Sequence, residues 1–332
     1  EKNAFANIAK QDLEGCHVFV TLEPCSHYGR TPPCAEGLIN AQVSRVVCAM
    51  QDPNPQVAGR GIAMLSNAGI DVSVGLLEQE SRQLNPSFIK RMSSGKPFVQ
   101  LKMAASLDGQ TALANGKSQW ITSPQARQDV QRYRAKASAI LSTSKTVIED
   151  DASLAVRWNE LPPSAQQTYL HTHRLLDGDR AGDAQSNELS SVAVRQPTRV
   201  ILDRQQQLSS SLRLYQSEGP VLTVGAQCCD VNVPVNHDQL DLDCLLSMLA
   251  MEYNLHHLWV EAGATLAGSL LTKHLVDEII IYLAPKIMGS DGRGLFGALG
   301  LKDMEQIIDL DIVDITRVGP DIRITAKPNY KE

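Results

Sequence analysis

Thr21-Leu22-Glu23-Pro24-Cys25-Ser26-His27-Tyr28-Gly29-Arg30-Thr31-Pro32-Pro33-Cys34 is the stretch on which the reading of this chain turns. The β-branched and apolar run Cys16 to Leu22 predicts a strand that feeds a Gly/Pro loop, and the second Pro-Cys opens a helix predicted over Ala35 to Ala41. Proline suits a first helical turn, and the exposed amides there favour a nearby thiolate, the form that zinc binds. A bare pair of cysteines would more simply be two unrelated buried thiols. Pro-Cys repeated at the two ends of one loop favours a metal site instead.

Outward from this loop, apolar runs and helical patterns alternate. A strand at Arg45 to Met50, a helix at Gly61 to Ala68, a strand at Ile70 to Val74 and one longer helix at Glu78 to Met92 are predicted, ending near Gly95-Lys96-Pro97. The alternation restarts with strands at Phe98 to Ala104, Ala139 to Ser142, Arg199 to Leu202, Pro220 to Gly225, His257 to Val260 and Glu278 to Ala284. Helices are predicted at Pro124 to Lys136, Leu240 to Tyr253 and Thr265 to His274, and a closing hairpin between Ile312 and Lys327. Residues 159–197, rich in Gln, Ser, Asp and His with weak periodicity, read as a surface insertion in which His171 and His173 are solvated loop residues.

The chain of 332 residues is long for one core, so two domains are expected. With 43% hydrophobic and 20% charged residues and no apolar run long enough to span a bilayer, it reads as globular. A net charge of -6 argues against a nucleic-acid surface, so any phosphate must be held locally. Seven cysteines, an odd number, favour reduced thiols and a cytoplasmic setting over a disulfide framework. The chain opens at Glu1 in what reads as the middle of an amphipathic helix, so a missing N-terminal segment is expected.

The cysteine loop resembles that of the zinc nucleoside and nucleobase deaminases, whose motif couples His-x-Glu to a later Pro-Cys-x-x-Cys. Eight residues separate Cys25 from Cys34 instead of two, and Gln51-Asp52-Pro53-Asn54-Pro55-Gln56-Val57-Ala58-Gly59-Arg60-Gly61 follows. In both respects the chain is similar to the bacterial bifunctional deaminase/reductase family of riboflavin biosynthesis, and the similarity runs through the chain except the insertion. It implies an α/β fold in two parts: a truncated cytidine-deaminase-like zinc domain over 1–95, then a dihydrofolate-reductase-like domain over 96–332.

In that family a His-Ala-Glu motif precedes the first metal cysteine, and Glu1 stands 24 positions before Cys25. The resemblance therefore implies one Zn²⁺ held by Cys25 and Cys34, with its His ligand missing from this chain, and Glu1 as proton carrier. The reaction implied is hydrolytic deamination of a diaminopyrimidine ribosyl phosphate, impaired here for want of the histidine.

The second half carries weaker signals that converge. Gln100 to Gly109 ends a strand in small residues that let backbone approach a planar ligand, and Gly116 to Thr122 supplies hydroxyls and an indole before a helix start at Ser123-Pro124. Thr143 to Asp151 and Leu154 to Arg157 add polar groups and a basic side chain fit for a phosphate. At Val260-Glu261-Ala262-Gly263-Ala264-Thr265-Leu266-Ala267-Gly268 a strand ends on an acid and a small-residue turn opens a helix, without the GxGxxG of a Rossmann fold.

This turn looks like the pyrophosphate turn of the reductase domain in the same family. The resemblance implies NADPH along Ala104, Trp120, Thr146, Asp150, Gly263, Ala264, Thr265, Leu266, Ala267, Gly268 and Ser269. It implies the substrate, a small pyrimidine ribosyl phosphate, near Ser118, Arg134, Leu154, Arg157 and Glu261, with Lys102 as a possible proton relay. It further implies a homo-oligomer, with neither nucleic acid nor membrane as partner. Two other readings stay open: a reductase whose Cys25/Cys34 pair is structural, and a regulator that binds a pyridine nucleotide without turnover.

Overall fold

The computed structural model describes residues 2–5, 8, 10–29, 31–177 and 194–330. The chain divides into two compact units, Glu1–Lys96 and Pro97–Glu332.

The first unit is built on three parallel strands, His17–Val20, Arg45–Cys48 and Asp71–Val74, with Arg45–Cys48 in the middle. Two adjacent valines stiffen this central strand for extended backbone. Its Val46 and Cys48 pack with Ala35 and Leu38 of the helix Cys34–Asn40 and Leu65 of the helix Arg60–Asn67. The single helix expected over Glu78 to Met92 is two, Glu78–Leu84 and Pro86–Ser94. Proline disfavours helical backbone in the residue before it, and Asn85 accordingly sits at φ -134, ψ 55.

The second unit holds a nine-stranded sheet. In spatial order it runs Asp309–Val318, Asp321–Asn329, Glu278–Ala284, Phe98–Ser106, His257–Glu261, Ala139–Thr143, Thr198–Leu202, Val221–Gly225 and Val231–Asn232. The seven strands from Glu278–Ala284 onward are parallel, and the first two form the expected closing hairpin, in which only Asp321–Asn329 runs against the others.

Alternate residues of the central strands feed two cores. Val99, Leu101, Met103, Leu258 and Val260 meet the helices Leu242–Met251 and Ala264–Thr272 on one face. Ile140, Ile201, Trp259, Ile280 and Tyr282 meet the helix Pro124–Lys136 on the other. Burial on both faces is what a parallel sheet requires. Helix starts are capped by side chains in the sequence just ahead of them: Ser123 accepts from the amide of Ala126, and Asp241 from those of Asp243 and Cys244.

The loop reading of His171 and His173 needs correction. Pro163–Asp177 is a regular helix, with Trp158, Ala165 and Tyr169 packed on a small cluster of Val156, Leu161 and Val194. All three buried residues of this cluster lie outside the helix itself, which explains the weak periodicity within it. His171 and His173 stand on this helix and not in a loop. The stretch 178–193 lies outside the described residues.

Candidate functional site

In the first unit the carboxylate of Glu23, almost fully buried, organises the cysteine loop. It accepts backbone hydrogen bonds from Asp52 (3.2 Å), Gly59 (2.9 Å), Gly61 (2.9 Å) and Ile62 (3.2 Å), the last two from the first turn of the helix Arg60–Asn67. A carboxylate at a helix N-terminus meets both unsatisfied amides and a favourable dipole. Gly61 is required by packing: a Cβ there would stand 1.9 Å from the carbonyl oxygen of Pro24. Nothing in the sequence marked Glu23 as more than part of the loop, because its four partners lie 29 to 39 residues away.

Downstream of this anchor, the amide of Cys34 donates to Cys25 Sγ at 3.2 Å, and the amide of Ala35 donates to the Cys25 carbonyl at 3.2 Å. The Cys25 sulfur is thus held against the main chain at the start of the helix Cys34–Asn40. Their chemistry fits zinc, which takes thiolate readily, but a tetrahedral site needs more than two donors. Among the described residues no group of three or more His, Cys, Asp or Glu is placed to hold a metal ion. Glu1 lies outside the described residues.

The second unit carries a cleft of about 1760 Å³ at the carboxyl ends of its parallel strands. This is where open α/β sheets present their ligands, since strand ends and helix starts converge there. Ala104, Trp120, Thr146, Asp150, Gly263, Ala264, Thr265, Leu266 and Ser269 line it, together with Ser118, Arg134, Leu154, Arg157 and Glu261. Ala267 and Gly268 do not line it. Ala267 is fully buried in the core beneath the sheet, and Gly268 faces Gly297, whose amide nitrogen is 3.4 Å from where a Cβ would be. Both sit on the inward side of the helix Ala264–Thr272, one turn past its open end.

At the floor of the cleft, parallel pairing sets Glu261 beside Lys102. Arg134 Nε donates to Glu261 Oε1 at 2.6 Å and Nη2 to Oε2 at 2.8 Å, while Nη1 reaches the Ala155 carbonyl at 3.1 Å. Burial alone would raise the Glu261 pKa, but the Arg134 charge and its hydrogen bonds override this and hold it at about 2. Lys102 is pushed below the ordinary lysine range by burial, against the partial support of Glu261. Arg134, expected near the substrate, therefore has its charge matched within the protein.

Arg157 is half exposed and pairs with Glu160 at 2.6 Å, and its backbone amide is held by Gln131. Gln119 reaches Asp150 at 3.2 Å, and the Arg127 guanidinium lies 4.5 Å from the centre of the Trp120 ring. Neither Gln119 nor Arg127 was singled out in the sequence, where each is one polar residue among many. Gly263 precedes the helix Ala264–Thr272 with no side-chain cap, leaving first-turn amides to face the cleft. Small residues and an uncapped helix start fit a dinucleotide. The Thr143 hydroxyl caps the helix Ser144–Asp150 by accepting from the amide of Thr146, which orients Thr146 and Asp150 toward the same cleft.

Residues 97–324 match the model of the RibD C-terminal domain, and residues 1–50 that of the cytidine and deoxycytidylate deaminase zinc-binding region. The chain is 46% identical to the riboflavin biosynthesis protein RibD of Escherichia coli K12, over 95% of this chain and 83% of that protein. It is 45% identical to RibD of Haemophilus influenzae, over 96% and 82%. Its structure is similar to Acinetobacter baumannii RibD with a TM-score of 0.80 at 37% identity, over 98% of this chain and 84% of that one. A diaminohydroxyphosphoribosylaminopyrimidine deaminase/5-amino-6-(5-phosphoribosylamino)uracil reductase of Thermotoga maritima aligns with a TM-score of 0.73 at 28% identity, over 93% and 79%. With identity this high over nearly the whole length, and with a deaminase zinc region ahead of a reductase domain, the chain belongs to the RibD family of riboflavin biosynthesis proteins.

Proposed function

We propose that the two units perform successive steps of riboflavin biosynthesis, deamination of a diaminopyrimidine ribosyl phosphate at the cysteine loop and reduction of its ribosyl chain in the cleft. The observation that carries the reading is the buried Arg134–Glu261 pair beside Lys102, under an uncapped helix start, all in one cleft. In the cleft Arg157 and Ser118 bind the sugar phosphate. Glu261 accepts hydrogen bonds from the substrate, and its low pKa keeps it an acceptor and not a proton donor at neutral pH. Lys102, the titratable group beside it, holds the proton that the opened sugar takes up. First-turn amides of Ala264, Thr265 and Leu266 bind the cofactor diphosphate, with Thr146, Asp150, Trp120 and Ala104 along the rest of the dinucleotide. NADPH supplies the hydride when bound.

In the first unit Cys25 and Cys34 would hold zinc, the histidine ligand that the resemblance implies not being among the described residues. Zinc there supplies Lewis acidity toward water. Glu23 keeps the loop in place, and Glu1 moves the proton. The protein works as a homo-oligomer in the cytoplasm, on neither nucleic acid nor membrane. The exposed Ile312 and Ile315 of the edge strand Asp309–Val318 support self-association, and among the described residues no helix is long and apolar enough to cross a membrane.

The test is NADPH consumption with the deaminated ribosylamino-pyrimidine phosphate, run beside the undeaminated compound with ammonia detection. Oxidation with the deaminated compound is the expected result. NADPH binding without oxidation of either would favour a nucleotide-binding regulator. Oxidation without any ammonia release, in protein loaded with zinc, would leave Cys25 and Cys34 as a structural pair.

A further inference from the structure

We propose that Trp259 is a positioning residue of the reductase: its indole N–H fixes the orientation in which Glu261 presents its carboxylate to the substrate. The inference rests on the assignment of Glu261 to the substrate site above. Trp259 and Glu261 stand two apart on the strand His257–Glu261, so both project from the same face of the sheet. The indole Nε1 donates to Glu261 Oε1 at 2.8 Å.

Arg134 fixes the plane of the carboxylate but does not distinguish its two oxygens. Its fork gives one hydrogen bond to each oxygen, at 2.6 and 2.8 Å, an arrangement that leaves the two oxygens equivalent. The indole breaks that equivalence. Oε1 accepts from both Arg134 and Trp259, which occupies its two lone pairs, whereas among the described residues Oε2 accepts from Arg134 alone and keeps one for an N–H or O–H of the substrate.

The remainder of the geometry makes this strut rigid. Trp259 is fully buried and stacks on Tyr133, with ring centroids 4.8 Å apart and planes at 8°. At the other end, the Glu261 main-chain carbonyl accepts from Ser142 Oγ at 2.6 Å. A buried indole N–H needs some acceptor, and any carbonyl would serve stability. Directing it to a carboxylate that already has a charged partner gains orientation.

The experiment is steady-state reduction of 5-amino-6-(5-phosphoribosylamino)uracil by Trp259→Phe, Glu261→Gln and the double variant, with NADPH affinity measured separately. Phenylalanine keeps a ring against Tyr133 and loses the donor, together with the volume of the second ring. Trp259→Phe is expected to lower kcat/KM for the pyrimidine on the order of ten-fold, with NADPH affinity unchanged, since one hydrogen bond to a charged group is lost. Because Trp259 acts through Glu261, the double variant should be no slower than Glu261→Gln alone. Should Trp259→Phe fold poorly, benzothienylalanine at position 259 keeps the indole shape without the N–H, and should give the same loss.

A kcat/KM within two-fold of the parent for either isostere overturns the inference, as does a double variant in which the two losses multiply. If Glu261→Gln itself leaves turnover untouched, the reading of the substrate site fails, and the role of Trp259 with it.

Discussion

Arg134 and Glu261 close on each other through two parallel hydrogen bonds, 2.6 and 2.8 Å long, joining the helix Pro124–Lys136 to the strand His257–Glu261 at the floor of the cleft. Both side chains are nearly buried, so removing one partner strands the other's charge. Glu261→Ala should destabilise the second unit by about 3–5 kcal/mol, and Glu261→Gln by less because the amide oxygen still accepts from Arg134. Denaturant unfolding, followed by tryptophan fluorescence, measures both.

Acid should weaken the second unit in two stages. His257 is held down to about 4 chiefly by burial, so its neutral form is favoured in the fold. Stability from this group is whole above 6.5, the unfolded value, and falls as pH drops toward 4. Glu261 follows, its contribution whole above 4.5 and lost as pH falls toward about 2. Thermal melts from pH 7 to 4 should show a declining Tm whose slope flattens in His257→Gln. An unchanged slope would exclude His257 as the source.

Arg157 separates substrate from cofactor. Half exposed and, among the described residues, ion-paired with Glu160 alone, it can be removed with little structural cost. Arg157→Ala should raise the KM for the pyrimidine phosphate by about ten-fold and the KM for NADPH by less than two-fold. Equal increases in both would remove Arg157 from the substrate phosphate.

The cysteine loop depends on Gly61 and Glu23. A methyl group at Gly61 would collide with the Pro24 carbonyl, and Glu23→Ala would leave four backbone amides without their acceptor. Either variant should loosen residues 21–34 and 52–62 by several kcal/mol while leaving the reductase unit folded. Faster hydrogen exchange confined to those segments, with NADPH oxidation retained, is the expected signature.

Legibility in the sequence followed how local each signal is. The strand Glu278–Ala284 and the helix Pro124–Lys136 lie where their patterns predict them, because an apolar run and a Ser-Pro start are complete within a dozen residues. The break at Asn85-Pro86 was readable in principle, since proline acts on its immediate neighbour, although one helix is predicted across it. The helix Pro163–Asp177 was missed because much of the cluster it packs on, Val156 and Val194 included, lies outside it. Within the turn from Gly263 to Ser269, a linear motif could not separate the cleft-lining residues from Ala267 and Gly268, because the helix carries successive residues around its axis.

The sequence by itself determined the two-part organisation, the cysteine loop and the small-residue turn, together with the resemblance they carry, since these are contiguous and each residue constrains the next. Only the tertiary structure decided what the charges do. Arg134 lies 127 residues from Glu261, and Glu23 lies 38 from Gly61, so neither pairing leaves a trace in linear order. The energy of a charge depends on how far it is removed from water and on which partner lies within hydrogen-bond reach, and both are settled only when distant segments pack.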